Sequence, residues 1–234
     1  MKLQRAALLA AFALSSAVTT GAHPDDKFPS FQAPAFVGQP NSTTQEWFHF
    51  ITGSTTGPNA PLLPYTNPNG IPNAYDATAA TDGAFLTGGG NIYSPTGAIR
   101  ATIVIPNYNL GNNWTTQIIL QTQTLGSAID LANVTVTPLG GSPIAAVPAD
   151  ITILSQTPLG GMGGTLDDYK FVWNVPGNAA SYTLTFTTPT SSLSWAGARV
   201  DTLATPLAAV PEPATLGLAG AAVLGLLLRR RKRQ

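Results

Sequence analysis

Few residues of this chain have the type and spacing to do chemistry. Asp167 and Asp168 stand side by side in "LDDYK", and paired carboxylates are natural ligands for a hard cation such as calcium. Adjacent residues on a strand point to opposite faces, so at most one of the two serves any single site, and a solvated loop end is the competing reading. Of the two histidines, His23 and His49, the second sits in "WFHF" with no partner imidazole or carboxylate at a metal-ligand spacing. No G-x-S-x-G pentapeptide is present to form a nucleophile elbow. Cysteine is absent, which removes thiolate chemistry and disulfides together. The run "GGMGG", Gly160 to Gly164, lacks the Lys and Ser/Thr of a phosphate-binding loop and reads as a hairpin turn. An indole can stack on a sugar or fill a core. Trp173 alternates with Phe171 and Val175 and reads as core, whereas Trp114, after "GNN", is the candidate sugar contact. No cofactor is called for beyond that calcium candidate, and the expectation is a protein that is not an enzyme.

The elements that must position these residues are strands. Between Phe28 and Asp82 the chain is dense in Pro, Asn, Thr and Gly, which removes amide donors and favours turns, so a long irregular segment is expected with one strand at Gln45 to Ile51. Beyond Gly83, β-branched and aromatic runs alternate with Gly, Pro and Asn. In "SYTLTFTT", Tyr182, Leu184 and Phe186 share one face while threonines occupy the other, the pattern of a strand with one buried and one wet side. About eight such strands without intervening helices predict an all-β body, an antiparallel β-sandwich or jelly roll.

The two ends differ from this body. Lys2 and Arg5, an uncharged run, and then Thr20 and Ala22 form the charged, apolar, small-residue order of a secretory signal. The expected organisation is a signal helix over 1–22 cut by signal peptidase, an exported all-β domain over 23–204 and a linker over 205–213. After these come a single transmembrane helix over 214–228 and a cytoplasmic basic tail over 229–234. The uncharged 214–228 run would be about 22 Å long as a helix, short against a hydrocarbon core of about 30 Å. Arg229, Arg230, Arg231, Lys232 and Arg233 would act as the membrane stop and hold that end cytoplasmic. Between Pro24 and Val210, four cations face ten acids, a net charge of −6, which argues against nucleic acid as a partner.

Pro211, Glu212 and Pro213, followed by the apolar run and the arginine-rich end, make "VPEPATLGLAGAAVLGLLLRRRKR", which resembles the PEP-CTERM sorting signal. That resemblance implies recognition of the Pro-Glu-Pro motif by an exosortase. It also implies passage through a transient inner-membrane-anchored state with a periplasmic body, and display at the cell surface or in the extracellular matrix. The main expectation for the body is a structural or exopolysaccharide-associated role in a biofilm matrix. A lectin-like carbohydrate-binding module is the alternative, and a secreted glycoside hydrolase built on two carboxylates is a further one.

Overall fold

The computed structural model describes residues 28–55, 57–61, 67 and 69–208. Twelve strands appear there, in chain order β1 Ser42–Trp47, β2 Asn73–Asp76, β3 Phe85–Leu86, β4 Ile92–Ser94, β5 Arg100–Pro106, β6 Gly111–Gly126, β7 Thr135–Pro138, β8 Ile144–Ala145, β9 Ile151–Pro158, β10 Thr165–Asn178, β11 Ser181–Thr187 and β12 Leu193–Pro206. Every pairing is antiparallel. Seven strands form one sheet in the order β3-β4-β12-β6-β10-β9, with β1 beside β12, and five form the other in the order β2-β5-β11-β7-β8.

The periodicity of the long strands explains the core. In β11, Tyr182, Leu184 and Phe186 are buried and the intervening threonines are partly exposed, with Thr185 hydrogen-bonded across to Thr135 at 2.8 Å. In β10, Tyr169, Phe171, Trp173 and Val175 point inward, and β6 contributes Ile118 and Leu120. The inner faces of both sheets thereby supply one hydrophobic cluster. With no disulfide available, buried polar bonds also join the sheets. The Tyr182 hydroxyl of β11 donates across to Thr116 Oγ1 of β6 at 2.9 Å, an oxygen that also accepts from Asn178 Nδ2 of β10, within the larger sheet, at 3.0 Å.

The outer face of the larger sheet is covered in part. The segment from Phe28 lies across it: Phe28 packs with Phe48 and Ala196, the Ser30 hydroxyl donates to Asp168, and Gln121 exchanges two 2.8 Å hydrogen bonds with the Gln32 backbone. Glu46, Gln121, Gln123, Asp168 and Asp201 on that face are buried and hydrogen-bonded. Arg199 makes a two-pronged contact with Asp201, at 2.7 and 2.9 Å, and also binds Glu46.

The expected β-sandwich or jelly roll, with a helix at each end, is corrected to an antiparallel β-rich fold of two sheets, seven strands and five, in which neither sheet closes on itself among the described residues. Beside the edge strand β9, an apolar groove of about 510 Å³ lined by Leu131, Ala146, Pro148, Ile151 and Ile153 stays open. The physical reason is that only about eight runs are periodic, whereas the additional pairing comes from strands of two to four residues with no periodicity to read. Finally, the expected signal helix and the span over 214–228 lie outside the described residues. Among the described residues the one α-helix is Ala79–Asp82, and none is long and apolar enough to cross a membrane.

Candidate functional site

Where β6 ends, three chain reversals meet. Gly126 closes β6 opposite Thr165 of β10 on one side and Leu193 of β12 on the other. Its φ is +97°, and an added Cβ would run into the carbonyl oxygen of Ser192, so only glycine fits. Gly164, in the turn joining β9 to β10, has φ +77° and packs directly on Gly126. This close approach leaves a cleft of about 630 Å³, within the ~300–1,000 Å³ range of ligand sites.

The cleft wall combines one aromatic ring with several hydroxyls. Tyr93 of β4, Thr87, Ser127, Ser192 and Ser194 provide the polar groups, and Leu125 and Leu159 provide the apolar ones. The Tyr93 ring is held edge-on by Phe85 at 5.6 Å between centroids. Other bonds fix the frame: the Ser127 hydroxyl donates to Ser191 O at 2.6 Å, Ser192 N donates to Ser94 O at 2.8 Å, and Asn91 Nδ2 donates to Ser194 Oγ at 3.2 Å. The Tyr93 and Ser192 hydroxyls have no hydrogen-bond partner among the described residues and are open to a ligand. None of the described lining side chains is an acid or a base of the Asp, Glu, His, Lys or Arg kind. An aromatic face beside uncharged hydroxyls suits a neutral polyhydroxyl ligand.

The residues singled out in the sequence lie elsewhere. Trp114 is half-buried on β6, eleven residues from Leu125, or about 36 Å along an extended strand, at the opposite end from the cleft. Trp173 is buried beside Phe171, and its indole N–H has no partner among the described residues. His49 is exposed. Asp167 and Asp168 are both buried in β10 and point to opposite faces. Asp167 accepts from Gln156 at 2.9 Å, Thr165 at 2.7 Å and the Tyr169 hydroxyl at 3.0 Å. Asp168 accepts from Gln123 at 2.8 Å, Ser155 at 2.6 Å and Ser30 at 2.5 Å. Burial and the Asp167 carboxylate push the Tyr169 phenol above its ordinary range. The Pro211, Glu212 and Pro213 motif and the cationic block Arg229 to Arg233 lie outside the described residues.

Sequence reasoning missed the cleft residues because they come from four separated stretches. The one local signal was the glycine run Gly160 to Gly164, which forms the β9–β10 turn at the cleft's edge.

Residues 209–232 match the PEP-CTERM protein-sorting motif. The chain thus carries the signal through which an exosortase handles its substrates, and the supported placement is an exported, extracytoplasmic protein with an exosortase as partner. The expected inner-membrane anchoring by a transmembrane helix is corrected: no helix among the described residues can span a membrane, and the motif alone supports export and sorting. No curated protein matches the chain. Among solved structures, similarity is found to the enzymatically active domain of tailspike protein 4 of bacteriophage CBA120. The identity is 14% and the TM-score 0.24, over 72% of this chain and 20% of that one. The chain spans about a fifth of that chain's length, and a likeness at this score carries no argument.

Proposed function

We propose that the exported body is a lectin-like carbohydrate-binding module. The sorting motif delivers it to the envelope or matrix, and the cleft between β4, β6, β12 and the β9–β10 turn holds a neutral exopolysaccharide segment. The observation that carries this reading is the lining of the cleft: an aromatic ring, five hydroxyl-bearing side chains and no formal charge among the described residues. The net −6 of the body adds to it, since an anionic glycan would be repelled. In this reading the domain binds and does not cleave, and a structural role in the matrix follows from that binding.

The test is a glycan array followed by titration of the selected neutral oligosaccharide against the full-length protein and two variants. Loss of binding in Tyr93→Ala with retention in Trp114→Ala assigns the cleft. The reverse pattern would move the site to the far end of β6. Release of reducing sugar by the wild-type protein would replace the binding role with a hydrolytic one.

A further inference from the structure

The chain leaves the body at one end of the two sheets. β12 runs to Pro206, opposite Trp114 of β6, and Leu207 N still donates to Asn113 O at 2.9 Å. The matched sorting motif begins at residue 209, and its Pro-Glu-Pro begins at Pro211, four residues beyond Leu207. Four residues span at most about 14 Å even when fully extended. An exosortase that holds Pro211, Glu212 and Pro213 is therefore brought against the end of the body from which β12 emerges.

That end has a composition of its own. Hydrogen bonds draw its loops together: Asn107 N donates to Ala180 O at 2.7 Å, Leu139 N to Ser181 O at 2.9 Å, the Tyr108 hydroxyl to Ser42 O at 3.0 Å, and Leu110 N to Asn178 Oδ1 at 3.0 Å. The segments that cap it, 39–41, 69–72, 107–110, 139–143, 179–180 and 207–208, contain no Asp, Glu, Lys, Arg or His. The opposite end, by contrast, carries Asp82, Arg100 and Asp130. Three of the four most exposed large hydrophobic side chains among the described residues lie at the uncharged end, Leu139 at 69%, Ile71 at 67% and Leu207 at 56%. Ile71 is placed there by Gly70, which lies against the Pro106 ring at the close of β5. Exposed aliphatic groups with no charge among them have the composition of an interface centre, where charged residues are depleted.

We propose that this uncharged end is a docking surface for the exosortase, which meets it with apolar side chains flanking its motif-binding site. A charged group at that position would have to be stripped of water as the enzyme closes over it, whereas aliphatic groups gain from the same desolvation. Once the motif is held, the contact with the body is intramolecular, so a modest apolar surface suffices to strengthen it. The cleft lies at the other end of β6 and stays clear of the enzyme. This inference rests on the motif being handled by an exosortase and is independent of what the cleft binds.

The test follows conversion of the full-length protein to its processed form by pulse-chase in cells that carry the exosortase. Leu139→Asp and Ile71→Asp should each slow conversion roughly fivefold or more. Leu139→Met and Ile71→Val, which keep an apolar group, should convert at the wild-type rate. So should Ile51→Asp, at a side chain of similar exposure, 68%, beside the β3–β4 turn. All these side chains face solvent, so melting temperatures should stay within about 2 °C of the wild type. Replacement of Pro211, Glu212 and Pro213 by alanine gives the rate without motif reading, which separates failure of docking from failure of the motif. Wild-type conversion of both aspartate variants, or equal slowing by Ile51→Asp, would overturn the proposal. Loss of membrane association by the aspartate variants in cells lacking the exosortase would also overturn it, by assigning the surface to lipid.

Discussion

Replacing Gly126 by alanine should destabilise the body well beyond the conformational cost of losing a glycine, and the contributions can be separated. The first is conformational. A non-glycine residue at positive φ costs roughly 1–2 kcal/mol, offset by about 0.4–1 kcal/mol for the stiffer unfolded chain. The second is steric, since the new Cβ would overlap the Ser192 carbonyl oxygen and sit 3.3 Å from its carbon. Backbone cannot swing aside as a flexible side chain can. Relief requires the start of β12 to withdraw, which loosens the 3.2 Å bond from Ser127 N to Ser192 O and the pairing of Gly126 with Leu193. Two weakened hydrogen bonds add about 2 kcal/mol.

The sum is about 3 kcal/mol, or a fall of roughly 6–12 °C in Tm for a body of this size. Gly160→Ala provides the internal reference, because Gly160 has φ +63° but nothing within 4 Å, so only the conformational contribution applies. Gly161→Ala, also with open space and without a positive φ, should be neutral. Urea unfolding of the three variants measures the difference directly. If Gly126→Ala loses no more stability than Gly160→Ala, the reversals at the end of β6 are compliant and the rigid-frame argument fails.

Other expectations follow from the same physics. Trp173→Ala should cost about 3–5 kcal/mol as a core truncation, while half-buried Trp114→Ala should cost clearly less, as read by chemical denaturation. Stability should decline as pH rises from about 4 to about 6. The folded-state Asp76 carboxyl, raised to about 6 from 3.8, holds its proton more tightly than the unfolded chain does, so its contribution is full below 3.8 and lost above 6. Asp76→Asn should flatten the profile, as read by urea unfolding across that pH range. Replacing Pro211, Glu212 and Pro213 together by alanine should abolish exosortase-dependent delivery, measured by cell fractionation. Wild-type surface levels in that variant would show that the motif is not read.

What the sequence revealed and what it hid divide along the range of the interactions. The strand character of Tyr182 to Phe186 was legible because a two-residue period needs only neighbours. The opposite facing of Asp167 and Asp168 was legible for the same reason. Their burial was not, since it depends on Ser30, Gln123 and Ser155 arriving from distant parts of the chain. Asn59 makes the point more sharply. It looks like one more loop asparagine, yet it is buried, accepts from Ile51 N and Thr52 N, and donates to Thr52 O and Ala74 O. Its own carbonyl accepts from the Trp47 indole at 2.7 Å, so the irregular segment is pinned to the core by a residue with no periodic signature. The cleft was hidden for a related reason: its walls come from chain reversals, where the informative residues are glycines whose φ only the fold reveals.

The two polar clusters that lack disulfide support solve the same problem differently. On the larger sheet, Glu46, Arg199 and Asp201 combine one cation with two acids, and burial raises Asp201 even with Arg199 in contact. A guanidinium with five donors can satisfy both carboxylates geometrically, so that cluster is self-contained. The Asp76 and Asp82 pair also has two acids, but among the described residues only backbone amides and the Thr78 hydroxyl donate to them, and the two carboxyls face each other. Hydrogen bonds from neutral donors stabilise a carboxylate without cancelling its charge. The contrast separates a cluster whose charge an arginine cancels from one in which burial and the facing Asp82 raise the Asp76 carboxyl and favour its protonated form.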